Sequence, residues 1–124
     1  MEPRTIRILV ADDHVMVRIG LATMLKVFDE LVFVGAATNG QNAIELCDEL
    51  APDLVLMDIH MPELDGPATT ELIRASQRRT IASVPVIAPV VGDDPDWLAR
   101  CRAARMDGHL GKPLEAGALE RILR

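Results

Sequence analysis

Apolar residues along this chain fall into two alternating rhythms. Short apolar runs occupy residues 6–11, 31–36, 54–57 and 84–88, several of them continuous, with a weaker one at 109–110. Continuity, rather than every-other-residue spacing, is expected of strands covered on both faces. Between the runs the spacing turns helical. Val17, Leu21, Met24, Leu25 and Phe28 form one apolar stripe, and Ala43, Leu46, Cys47 and Leu50 repeat it. Leu72 and Ile73 place a third helix near 68–76. Asp94-Pro95 predicts the start of a fourth, with Asp as N-cap and Pro at the first helical position, carrying Leu98 and Cys101. Leu119, Ile122 and Leu123 mark a last helix. Strand and helix alternate five times, which predicts an α/β fold: a parallel sheet with helices on both faces, since each parallel crossover needs a covering element.

In such a sheet the C-terminal ends of the strands share one edge, where ligands bind. The first strand ends in Ala11-Asp12-Asp13 and the third in Met57-Asp58, so three carboxylates converge on one rim. Clustered like charges call for a cation, and a hard divalent ion such as Mg²⁺ suits carboxylates. Each acid also has a plainer reading: Asp12 or Asp13 as the cap of the helix starting at His14, Asp58 as a loop residue leading into Met61-Pro62. The fifth strand tilts the balance. It is followed by Gly111-Lys112-Pro113, which brings a lysine to the same rim. Pro113 restricts how the chain leaves the sheet there. Aspartate, a divalent cation and lysine together are what in-line phosphoryl transfer onto a carboxylate requires.

Composition narrows the rest. The 124 residues suit one domain over 1–124, large enough to bury a core without metal or disulfide staples. With 2% aromatics the core must be aliphatic. A net charge of −6 argues against direct nucleic-acid binding, which needs clustered Lys and Arg. Cys47 and Cys101 have no metal-like spacing and read as reduced thiols. No apolar stretch approaches the ~20 residues of a membrane helix, and the start is unlike a signal peptide. These readings point to a cytoplasmic protein without a membrane partner.

Three motifs carry a resemblance. Ile8-Leu-Val-Ala-Asp-Asp-His14, Asp53-Leu-Val-Leu-Met-Asp-Ile-His-Met-Pro-Glu-Leu-Asp-Gly66 and Gly108-His-Leu-Gly-Lys-Pro113 closely resemble the receiver domains of bacterial two-component response regulators. The resemblance spans nearly the whole chain. It implies a flavodoxin-like (CheY-like) doubly wound, five-stranded parallel sheet with five helices. It also implies that Asp58 accepts phosphate from a histidine kinase or phosphotransfer protein. Asp13, Asp58 and the backbone carbonyl of His60 would hold Mg²⁺, with Asp12 assisting through water, and Lys112 would contact the phosphoryl group. Pro62 and Gly66 would shape the loop after the acceptor. Such a domain is a phosphoacceptor that assists its own phosphotransfer and dephosphorylation, rather than an enzyme with a separate substrate. The stretch Asp13-His-Val-Met-Val-Arg-Ile-Gly-Leu is most similar to the subgroup with a C-terminal helix-turn-helix effector, although Lys112-Pro113 is less typical there. No effector segment follows in this chain.

Several positions depart from the family pattern. The fourth strand normally ends in a hydroxyl that senses the phosphoryl group, followed by a small residue; here those places hold Val90 and Val91. The aromatic residue of the fifth strand that turns inward is here His109. Val90 has nearly the shape of threonine but neither donates nor accepts a hydrogen bond. One hydrogen bond to a charged group is worth ~1.5–3 kcal/mol, enough to move a two-state population roughly tenfold or more. The expectation is an acceptor site whose conformational readout is weakened or rerouted. Pro89 removes a backbone donor beside it, and Arg105 stands where the family usually ends a helix with glycine.

Other residues read more plainly. His14 opens the first helix at the surface, and the basic run Arg74-Ala-Ser-Gln-Arg-Arg79 reads as a solvated helix end. Trp97, the single tryptophan, lies beside the Leu98–Cys101 stripe. It is either a partly exposed anchor for a homodimer through the 94–124 face or a simple packing residue. Three functional classes compete, in this order: a phosphorylatable receiver; a receiver-like interaction module that works without phosphorylation, favoured by Val90 and His109; and an aspartyl-nucleophile hydrolase, for which the chain has no spare residues to build a substrate cap.

Overall fold

The computed structural model describes residues 5–90 and 95–111. Five strands, β1 (Ile6–Ala11), β2 (Leu31–Ala37), β3 (Leu54–Met57), β4 (Val86–Val90) and β5 (Gly108–Gly111), form one sheet in the order β2-β1-β3-β4-β5. Every neighbouring pair is parallel. The helices between them are α1 (Val15–Leu25), α2 (Gly40–Leu50), α3 (Gly66–Arg74), a single turn α4 (Arg79–Ala82) and α5 (Pro95–Ala103). The expected last helix, around 119–123, lies outside the described residues.

Side-chain alternation along the strands divides the core into two layers. Leu9, Ala11, Val55, Met57 and Val86 face Ala43 and Cys47 of α2, Ile73 of α3 and Ile81. Ile8, Val10, Leu54, Leu56 and Ile87 face Leu21 and Leu25 of α1. Both sets are buried, which is why β3 and the last four residues of β1 read as unbroken apolar runs. A third cluster joins Ile59, Ala88 and Cys101, with Trp97 and Met106 packed against it, and seats α5. Both cysteines are free and buried; burial pushes the Cys47 thiol up to about 11 and raises that of Cys101. Among the described residues no helix is long and apolar enough to cross a membrane.

Three expectations are corrected. β4 begins at Val86 rather than at 84, because Pro85 interrupts the run and Val84 packs into the core ahead of the strand. The third helix runs over Gly66–Arg74 rather than near 68–76, with Ile73 buried and Leu72 50% exposed. Arg74 departs from the reading of 74–79 as a solvated helix end: its side chain is only 7% exposed and is paired with Asp107, while Arg78 and Arg79 are exposed as expected.

The end of α5 bears on stability. The Met106 N–H donates to the Cys101 carbonyl at 3.0 Å and the Arg105 N–H to the Arg102 carbonyl at 3.0 Å. This double bond is a Schellman cap, completed by the apolar contact of Met106 with the Cys101 cluster. The cap needs a left-handed residue, and Arg105 supplies it with φ at 66°. A side chain in that region is strained and glycine is not. Arg105→Gly should therefore raise unfolding stability by about 1 kcal/mol, read as a higher urea midpoint at unchanged slope; a lower midpoint would refute it.

Candidate functional site

β1 and β3 are neighbours, with β2 beyond one and β4 beyond the other. The connections leaving them part in opposite directions, and a parallel sheet opens its crevice at such a switch point. The hydrogen-bond ladder continues one residue past both strands. The Asp12 N–H donates to the Ala37 carbonyl at 3.0 Å, and the Asp58 N–H to the Ala11 carbonyl at 2.9 Å. Two carboxylates are thereby held on rigid strand ends, with Asp12 and Asp58 only 1% and 2% exposed. Asp13 stands more open to solvent.

Asp12, Asp13, His14 and Asp58 each offer one ligand atom within 4.8 Å of the others. At such a spacing two carboxylates repel by about 3 kcal/mol at an effective dielectric of roughly 20. The donor set, three hard oxygens of which two are buried, fits a hard divalent cation such as Mg²⁺.

α1 begins at Val15 with His14 as N-cap and no side-chain capping bond, so Asp12 does not cap the helix but shapes the turn before it. Its Oδ1 accepts the His14 N–H at 2.8 Å and its carbonyl accepts an Arg18 guanidinium N–H at 2.7 Å, closing the turn into α1. His14 is the surprise. Its Nδ1 lies 3.1 Å from Asp12 Oδ1 and 3.1 Å from Asp13 Oδ1, bridging the acid pair from a side chain that is 64% exposed. The adjacency in sequence hinted at this; the backbone bend at Asp13 brings the ring back over the pair.

The loop after Asp58 is held tightly. A Cβ on Gly66 would sit 2.4 Å from the Asp58 carbonyl and 2.9 Å from Ile59 Cα, so only glycine lets the chain fold back this closely. Its N–H donates to the Ile59 carbonyl at 2.8 Å. Just before it, the Leu64 N–H reaches the Pro62 carbonyl at 2.7 Å around Glu63, whose φ is 67°, a tight three-residue turn. Asp65 then caps α3, its Oδ1 accepting the Ala68 N–H at 2.9 Å, while its Oδ2 pairs with Arg100 of α5 at 2.7 Å. His60 lies edge-on to Trp97, with ring centroids 4.3 Å apart at 77°. The Arg100 guanidinium covers the other partner of that pair, 4.6 Å from the Trp97 ring centre.

The sequence model of the response regulator receiver domain family matches residues 8–124. This chain belongs to that family. Among curated relatives, the transcriptional regulatory protein LnrK of Bacillus subtilis is 38% identical over 114 residues, 92% of this chain and 50% of its own length. The receiver thus spans about half the length of the curated relatives it matches. Among solved structures, the signal receiver domain of the response regulator NarL from Mycobacterium tuberculosis superposes with a TM-score of 0.86 at 26% identity, covering 98% of this chain and 94% of that one. The receiver domain of sensor histidine kinase PA1611 from Pseudomonas aeruginosa, solved with a magnesium ion in its active-site cleft, does so with a TM-score of 0.84 at 28% identity, covering 96% and 94%.

In this receiver Asp12, Asp13 and Asp58 come together, and His60, Pro62 and Gly66 lie on the loop that leaves Asp58. Val90 closes β4, in register with Gly111. Pairing of β4 with β3 ends at Ile87, two residues before Pro89, which has no N–H to give. His109 pairs with Ala88 and its residue is exposed to solvent. Val91, Lys112 and Pro113 lie outside the described residues. Trp97 is half-buried, and its links to His60 and Arg100 were not legible from helical spacing alone.

Proposed function

We propose that this receiver takes a phosphoryl group onto Asp58 from the phosphohistidine of a sensor histidine kinase or phosphotransfer protein. The convergence of Asp12, Asp13 and Asp58 on the ends of two neighbouring strands carries this reading. An Asp58 carboxylate oxygen attacks phosphorus in line, the P–N bond to the donor imidazole breaks, and the leaving imidazole keeps the electron pair. The product is an acyl phosphate, later cleaved by water to free phosphate and the carboxylate. Asp13, Asp58 and the His60 carbonyl hold Mg²⁺, with Asp12 assisting through water. The ion, when bound, neutralises the acid cluster and the charge on the phosphoryl oxygens. Lys112 supplies a second positive charge to the phosphoryl group, and Pro113 sets the chain direction after it. The receiver reports to an effector or to a second copy through the 94–124 face.

Phosphorylation has a direct test. The chain incubated with Mg²⁺ and a small acyl-phosphate donor should gain one base-labile phosphoryl group by intact mass, mapped to Asp58. An adduct on another residue, or none, would remove this reading. The alternative is a receiver-like interaction module whose output ignores phosphate. Val90, which can form no side-chain hydrogen bond, and His109, an exposed imidazole where the family pattern has an aromatic that turns inward, favour it.

A further inference from the structure

We infer that Trp97 is a positioning residue that ties the loop after Asp58 to α5, so that α5 senses occupation of the acidic site without a hydroxyl at position 90. The inference rests on the reading of Asp58 as acceptor and names a route for its signal.

Both ends of the loop are fastened to the same helix. At its start, His60 meets the face or edge of Trp97 with ring centroids 4.3 Å apart. At its end, Asp65 is paired with Arg100 at 2.7 Å. Arg100 in turn lies 4.6 Å from the Trp97 ring centre, so one indole is held between the two fastenings. Aromatic edges and guanidinium groups both hold an indole in a preferred geometry. Beneath this surface chain, Ile59, the residue next to Asp58, is 2% exposed and shares a cluster with Ala88, Cys101 and Trp97. A shift of the 59–60 backbone is therefore passed to α5 by a ring contact on the outside and a packed aliphatic contact on the inside.

β4 offers no comparable polar route. Its last residues are Ala88, Pro89 and Val90, of which the first two lack any side-chain hydrogen-bonding group and the third is an aliphatic in the place of the expected hydroxyl. The His60 carbonyl is the group of this loop that the acceptor reading places on the cation. Drawing it toward the acid cluster turns the His60 residue, and the ring contact carries that turn to Trp97. Packed chains of side chains transmit such a shift only where the element at the far end has two arrangements, so the claim is about coupling and is tested as coupling.

The test is amide and indole NMR of the whole chain with Mg²⁺ and beryllofluoride added, on the wild type, Trp97→Leu, Arg100→Gln and Asp58→Asn. Signals of residues 11–13 report occupation of the site, and those of residues 95–103 report α5. Leu keeps the apolar contact with the Ile59 cluster, and the Arg100 side chain is 49% exposed, so both variants retain the fold. In the wild type both sets should shift, along with the fluorescence of the single tryptophan. In Trp97→Leu the 11–13 signals should still shift while the α5 shifts shrink about threefold or more, and Arg100→Gln should show a smaller loss of the same kind. Full α5 shifts in Trp97→Leu at equal occupation, or a silent α5 in an occupied wild type, would overturn the relay and leave the acceptor reading standing. Silence at residues 11–13 in the wild type, matching Asp58→Asn, would overturn both.

Discussion

Arg74→Ala should cost this receiver about 2–3 kcal/mol of stability, the largest loss expected from any single truncation outside the aliphatic core. The side chain starts on α3, is 7% exposed, and places its donors on two separate segments. Its Nε donates to the Arg105 carbonyl at 3.0 Å, Nη1 to the carbonyls of Ala82 and Val84 at 3.0 and 2.7 Å, and Nη2 to the Asp107 carboxylate at 2.8 Å. Asp107 also accepts the Val86 N–H at 2.7 Å, so the same pair holds the start of β4 and the approach to β5. Alanine leaves three carbonyls and a carboxylate to find other partners, and groups stranded in this way cost more than an exposed ion pair would suggest. Lysine keeps the charge but not the planar fork and should recover less than half of the loss. Urea unfolding followed by circular dichroism gives the number; a loss below about 1 kcal/mol would show that water replaces the guanidinium without penalty.

Asp58→Asn should reduce phosphoryl uptake by about a thousandfold or more, to below detection. An amide oxygen is a poor nucleophile toward phosphorus and carries no charge for a cation, so both the bond-forming atom and one metal ligand are lost. Asp13→Asn separates the two roles. It leaves the nucleophile in place, so uptake should persist when Mg²⁺ is raised to compensate for an affinity about tenfold lower or worse. Thermal unfolding supplies an independent reading. Mg²⁺ at a hundred times its dissociation constant should stabilise the wild type by about 2.7 kcal/mol, and the same concentration should do clearly less for Asp13→Asn. Equal phosphoryl uptake by Asp58→Asn and the wild type would mean that the acceptor lies elsewhere.

Much of this was legible before any coordinates. β1 and β3 occupy the residues that the apolar runs at 6–11 and 54–57 mark, because their buried stretches, Ile8–Ala11 and Leu54–Met57, leave no polar position on either face. The acid cluster was legible for the same reason: once both strands are placed in one parallel sheet, Asp12, Asp13 and Asp58 must fall on one rim. α4 was not, since one turn between Arg78 and Ser83 has too few residues to show a period. The start of β4 slipped by two residues because an apolar run says which residues are buried, not which of them join a ladder, and Pro85 separates the two.

The sequence by itself determined the alternation of strand and helix, the aliphatic core and the identity of the acid, amide-free and aliphatic positions at the sheet edge, since these depend on residue type and local period. Tertiary structure alone decided three things. It folded the exposed His14 back onto Asp12 and Asp13. It buried the Arg74 guanidinium among carbonyls from segments as far as 31 residues away. It set Trp97 between His60 and Arg100, across 37 residues of chain from the loop it meets. The last two pair polar or aromatic groups distant in sequence, while the first is a local bend whose direction residue type does not state. Composition states that such groups exist, but only the packing of the helices onto the sheet brings them within hydrogen-bonding and stacking range.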